Sequence, residues 1–74
     1  MDEDTKKVLR WAHYARFGAL EPKDMSRKTL DKILRKLEKD NYIYYTRVDG
    51  KKCHRLLTAL GAQKLDEIGR HDGP

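Results

Sequence analysis

Lys28, Lys32, Arg35 and Lys39 recur at spacings of four, three and four residues, so on a helix they stand in one row along one face. Such a row displaces counterions from a polyanion and holds its phosphates. Arg27 and Lys28 can also donate to guanine O6 and N7, Arg27 with a bidentate fork. Further along, Arg47, Lys51 and Lys52 flank Asp49-Gly50, and Arg55 follows. The plain alternative is a solvated helix face on which Lys32 and Arg35 pair with Asp31 and Glu38. For covalent or acid–base chemistry the residues are few: His13, Cys53 and His54. Cys53 and His54 are neighbours on a predicted strand and so project to opposite faces, which argues against an enzyme. A single cysteine makes no internal disulfide and no zinc-finger framework, and no metal site or cofactor is expected.

The charge is unevenly placed. The 74 residues carry 17 Lys+Arg and 12 Asp+Glu, a net charge of +5. Residues 23–55 hold eleven basic and five acidic residues, net +6, and the remainder is net −1. Such a block fits an electrostatic footprint for nucleic acid, an anionic membrane surface or an acidic protein, and equally, on composition alone, an excess of charge that keeps the chain in solution. No apolar run reaches the ~20 residues of a membrane span, and Met1-Asp2-Glu3-Asp4 is acidic where a secretory signal is basic and then apolar. A cytoplasmic protein without membrane contact is therefore expected. One domain over 1–74 accounts for the length, with residues 70–74 as a frayed tail. So short a chain leaves no room for a drug-sized pocket, and no small-molecule ligand is expected.

The elements that position the cations follow from periodicity. From Thr5 to Phe17, Val8, Trp11, Ala12 and Ala15 form a helical stripe with Leu9 beside it, Asp4 as cap and Gly18 as stop. Glu21-Pro22 suits the start of a short second helix. Ser26 caps a third, with Leu30, Ile33, Leu34 and Leu37 as its stripe and Asn41 as a left-handed end. The period then alternates over Tyr42–Val48 and Lys51–Leu57 around Asp49-Gly50, a two-residue hairpin turn. With that turn the partners are Val48 and Lys51, Thr46 and Cys53, Tyr45 and His54, Tyr44 and Arg55, and Ile43 and Leu56. Thr58 caps a last helix with Leu60, Leu65 and Ile68 inward, Gly61 at a close contact and Gly69 at its end. The fold class expected is α+β and mostly helical: helix, short helix, recognition helix, two-stranded wing, C-terminal helix.

The run from Met25 to Ile43, Met25-Ser26-Arg27-Lys28-Thr29-Leu30 through Leu37-Glu38-Lys39-Asp40-Asn41-Tyr42-Ile43, resembles the recognition helix of winged helix-turn-helix DNA-binding proteins, above all MarR-type and PadR-type transcriptional regulators. Arg55-Leu56-Leu57-Thr58-Ala59-Leu60-Gly61 resembles the segment that closes the wing in the same families. The two matches and the ribbon between them cover about half of the chain. The resemblance implies a double-stranded DNA-binding module, sequence-specific or architectural, acting as a small transcriptional regulator or repressor by occupancy. Its recognition helix would contribute Ser26, Arg27, Lys28, Thr29, Lys32, Arg35, Lys36 and Lys39, and its wing Arg47, Lys51, Lys52 and Arg55. It also implies a homodimer through the first and last helices, with Leu9, Trp11, Leu60 and Leu65 as candidate contacts.

Two other readings share these residues. The stretch from Lys32 through Leu65-Asp66-Glu67-Ile68 resembles the C-terminal part of a small-subunit ribosomal protein family that uses a winged helix on RNA, and Tyr42, Tyr44 and Tyr45 can stack on unpaired bases. The third reading is a protein–protein adapter whose basic ridge meets an acidic partner.

Overall fold

The computed structural model describes residues 1–15 and 21–69, with Cys53 and His54 described in their backbone only. The element order is α1 (Glu3–Tyr14), α2 (Arg27–Lys39), β1 (Ile43–Val48), β2 (Lys51–Leu57) and α3 (Ala59–Ile68). The expectations for Phe17, Gly18 and the 70–74 tail lie outside the described residues.

Helix α1 starts one turn earlier than its apolar stripe. Asp2, not Asp4, is the cap, its Oδ1 accepting from the Thr5 N–H at 2.8 Å. Glu3 and Asp4 thereby fall in the first turn, where the helix dipole favours carboxylates. Val8, Leu9, Trp11 and Ala12 are buried. At the other end of the fold, Arg10 on α1 donates from Nε to the Gly69 carbonyl at 2.8 Å and from Nη2 to the Ile68 carbonyl at 2.9 Å. It thus satisfies carbonyls that the end of α3 leaves without helical partners.

The expected four-helix winged-helix arrangement is not what forms: among the described residues there are three helices, and Glu21–Met25 is a turn rather than a second helix. A stretch this short gains too few hydrogen bonds to offset helix nucleation. Its polar groups find partners elsewhere, Glu21 with Arg27 and Asp24 with Lys7 at 2.6 Å.

Helix α2 begins at Ser26, whose Oγ accepts from the Thr29 N–H at 3.1 Å. It ends where Asn41 adopts φ 65°, and the Tyr42 N–H then bonds to the Leu37 carbonyl at 2.9 Å, closing the helix with a Schellman-type bond. Strands β1 and β2 make a two-stranded antiparallel sheet joined by Asp49 (φ 53°) and Gly50 (φ 80°), both in the left-handed region that a type I′ turn requires.

The register departs from a regular ladder. Val48 faces Lys51 and Arg47 faces Lys52, but Tyr45 faces Arg55, Tyr44 faces Leu56 and Ile43 faces Leu57. Thr46 thus stands opposite both Cys53 and His54, a β-bulge that moves every later pairing by one residue. The expected pairs of Tyr44 with Arg55, Tyr45 with His54 and Ile43 with Leu56 are corrected accordingly.

Thr58 ties the hairpin to α3 and to the end of α2. Its N–H donates to the Tyr42 carbonyl at 3.1 Å, its hydroxyl donates to the Asn41 carbonyl, and its Oγ1 accepts from the Gly61 N–H at 2.9 Å. A Cβ on Gly61 would lie 1.9 Å from the Tyr42 carbonyl oxygen, so only glycine lets α3 seat here. With Gly61 and Leu65 setting the inner face, Leu60 points outward and is 47% exposed, contrary to the inward position expected of it. The core gathers Val8, Leu9, Trp11 and Ala12 of α1, Leu30, Leu34 and Leu37 of α2, Ile43 of β1 and Leu65 of α3. Helix α1 is its hub, in contact with α2, α3 and β2.

Candidate nucleic-acid interface

Burial of Leu30, Leu34 and Leu37 turns the opposite face of α2 outward, and Lys28, Lys32, Arg35 and Lys39 are all exposed there. Among the described residues none of the four has a carboxylate partner, because the neighbouring acids are engaged with other cations. Asp31 meets Arg27 at 3.6 Å and Glu38 meets Lys52 at 3.6 Å. The pairing of Lys32 and Arg35 with Asp31 and Glu38 that a merely solvated face would show is absent.

The other candidates on this helix have different surroundings. Arg27, although 70% exposed, also donates to both carboxylate oxygens of Glu21 at 2.9 and 3.1 Å, so a base edge must compete with two acids for it. Ser26 and Thr29 form the helix cap with each other, the Ser26 hydroxyl donating to Thr29 Oγ1 at 2.9 Å. Lys36 lies on the flank toward the start of α1. Hydrogen bonds from Thr5 hold the Asp2 carboxyl below its ordinary range, and the charge of Lys36 adds a smaller contribution.

On the hairpin, Arg47, Lys51 and Lys52 are exposed around the Asp49-Gly50 turn. The hairpin stands beside α2, since Lys52 of β2 reaches Glu38. The Lys52 ammonium also lies 4.4 Å from the centre of the Tyr45 ring. Arg55, the fourth residue expected on the wing, packs inward from the tip: its guanidinium lies 4.4 Å from the centre of the Trp11 ring and 5.6 Å from that of Tyr45. The bulge is the cause, because it sets Arg55 opposite Tyr45. No residue pattern in the sequence marks that shift, although the Arg55–Trp11 pair joins two residue types that commonly stack.

Between α2 and the hairpin runs a groove of about 390 Å³ lined by Asp31, Leu34, Arg35, Glu38, Tyr45, Lys52 and Arg55. Of the tyrosines, Tyr42 and Tyr45 pack against the core while Tyr44 is 44% exposed.

The dimer candidates separate cleanly. Leu9 and Leu65 are fully buried and Trp11 is buried at 9% exposure, so these three belong to the protomer's own core, and Leu60 alone of the four is on the surface. His13 is half-buried with its ring edge-on to Tyr14, 4.6 Å between centres, and the side chains of Cys53 and His54 lie outside the description. Among the described residues no cluster of three or more His, Cys, Asp or Glu could hold a metal ion, and no helix is long and apolar enough to cross a membrane. Compared with known protein families, curated proteins and solved structures, the chain shows no match to any of them.

Proposed function

We propose that this protein binds double-stranded DNA, laying the exposed row of α2 into the major groove while the hairpin tip meets the neighbouring backbone. The observation that carries this reading is the row Lys28, Lys32, Arg35 and Lys39, exposed and without carboxylate partners among the described residues, next to a second cationic surface at Arg47 and Lys51. A helix presenting such a face fits the width of the major groove, and its cations exchange with condensed counterions. The row and the tip together neutralise about five or six phosphates, which gives a log–log salt slope near −5. Regulation by occupancy, in the cytoplasm, is the role this reading assigns to such a module.

An anisotropy titration of a short duplex across a salt series tests this. Lys28→Ala with Lys32→Ala should weaken binding at least tenfold at low salt and reduce the slope by about two. Unchanged duplex affinity removes the role of α2. Exposed Tyr44 is the observation that favours a second reading, stacking on unpaired bases of single-stranded or structured RNA. Parallel titrations with those ligands decide it, since tighter binding there that falls with Tyr44→Ala replaces the duplex.

A further inference from the structure

We propose that the groove between α2 and the hairpin is a seat for one phosphate group, gripped by Arg55 from its floor and Arg35 from its α2 wall. Its identification as a nucleic-acid backbone phosphate rests on the function proposed above. Arg55 is half-buried, yet among the described residues no carboxylate pairs with it, and its one hydrogen bond is a long one, Nε to the Tyr45 hydroxyl at 3.4 Å. A partly desolvated guanidinium with unused donors is unusual, because burial without a counter-charge is costly. Here the faces of two aromatic rings take the place of a counter-ion: Trp11 at 4.4 Å and Tyr45 at 5.6 Å. With Nε turned to the Tyr45 hydroxyl, the two terminal Nη groups remain to donate as a fork to an oxyanion.

The rest of the lining suits a single dianion or diester. Arg35 is exposed on α2 and has no carboxylate partner among the described residues. Asp31 and Glu38 also line the groove, but each is engaged with its own cation, Arg27 at 3.6 Å and Lys52 at 3.6 Å. The groove thus holds three cations and two carboxylates, a net +1, enough for one phosphate and unfavourable for a second. Its volume, about 390 Å³, admits the group with room for water.

Trp11 is the protein's single tryptophan and lies under Arg55, so its fluorescence reports on the seat directly. Inorganic phosphate should change the Trp11 emission saturably, over a chloride control at equal ionic strength. Arg55→Lys, which keeps the charge and loses the fork, should abolish that change, and Arg35→Gln should weaken it about tenfold. On the duplex each variant should lose about tenfold in affinity and lower the slope by about one. Thermal melts confirm the fold of the Arg55 variant, and Arg35→Gln, altering an exposed residue, serves independently of it.

If phosphate acts no differently from chloride and both variants leave the duplex slope unchanged, while Lys28→Ala with Lys32→Ala still weakens the duplex, the seat is overturned and the DNA reading stands. An Arg55-dependent phosphate response without any duplex binding establishes the seat and overturns the backbone phosphate as its occupant, together with the DNA reading. A response to free phosphate with no change in the duplex slope likewise assigns the seat to a free phosphate rather than the backbone.

Discussion

Asp24 shows how a single side chain ties an irregular segment to the fold. It lies in the turn before α2, and the hydrogen bond from the Lys7 ammonium on α1, 2.6 Å away, is the main reason its carboxyl is held below the ordinary value of 3.8. A carboxyl whose pKa is depressed by folding contributes stability above its unfolded value and loses it as the pH falls through the folded one. Wild type should therefore exceed Asp24→Asn in stability at neutral pH, and the two unfolding curves should converge in acid, below the folded pKa of Asp24. Denaturant titrations at a series of pH values measure this, and a difference that persists in acid would assign the effect to something other than the ion pair. Asp2, lowered chiefly by hydrogen bonds from Thr5, acts in the same direction, so the wild-type curve itself should decline over the same acid range.

Between elements, the tightest join is that of α3 with the end of α2. Asn41 in a left-handed conformation turns the chain so that the Tyr42 carbonyl meets both the Thr58 N–H and the backbone of Gly61. Gly61→Ala places a Cβ 1.9 Å from that oxygen, and the obstacle is backbone rather than a flexible side-chain end. The variant should lose about 2 kcal/mol or more, read as a lower denaturant midpoint at an unchanged m-value. An unaltered midpoint would show that α3 can shift along the hairpin, and would also loosen the Arg10 clamp on the Ile68 and Gly69 carbonyls.

For the molecule as a whole, size sets the question of association. A core of this length supplies roughly 3 to 5 kcal/mol, and three of the four residues that could have made a dimer are already inside it. Of the four, the outer face of α3 around Leu60, which is 47% exposed, is the one left for pairing. Leu60→Glu should reduce a dimer to the single-chain mass in sedimentation equilibrium while leaving the thermal melt of the protomer within about 0.5 kcal/mol of wild type. Wild type that sediments as a single chain at all concentrations removes the dimer.

Local physical chemistry made much of this legible from the residues alone. Ser26 and Thr58 as caps, Asn41 as a left-handed terminus, Asp49-Gly50 as the turn and the four-three-four row of cations on α2 each depend on neighbours within a few positions, and each appears where its residue type requires. The turn at Glu21–Met25 and the outward Leu60 depend instead on contacts between segments far apart in the chain, Lys7 with Asp24 and Gly61 with Tyr42, and the β-bulge at Thr46 on how the two strands pair. A one-residue shift in strand pairing costs nothing that periodicity can register, yet it sets Arg55 opposite Tyr45 and over Trp11. The basic surface is thus written in helical spacing, whereas which cations lie free on it, which are paired and which is held between aromatic rings was decided only when the core closed.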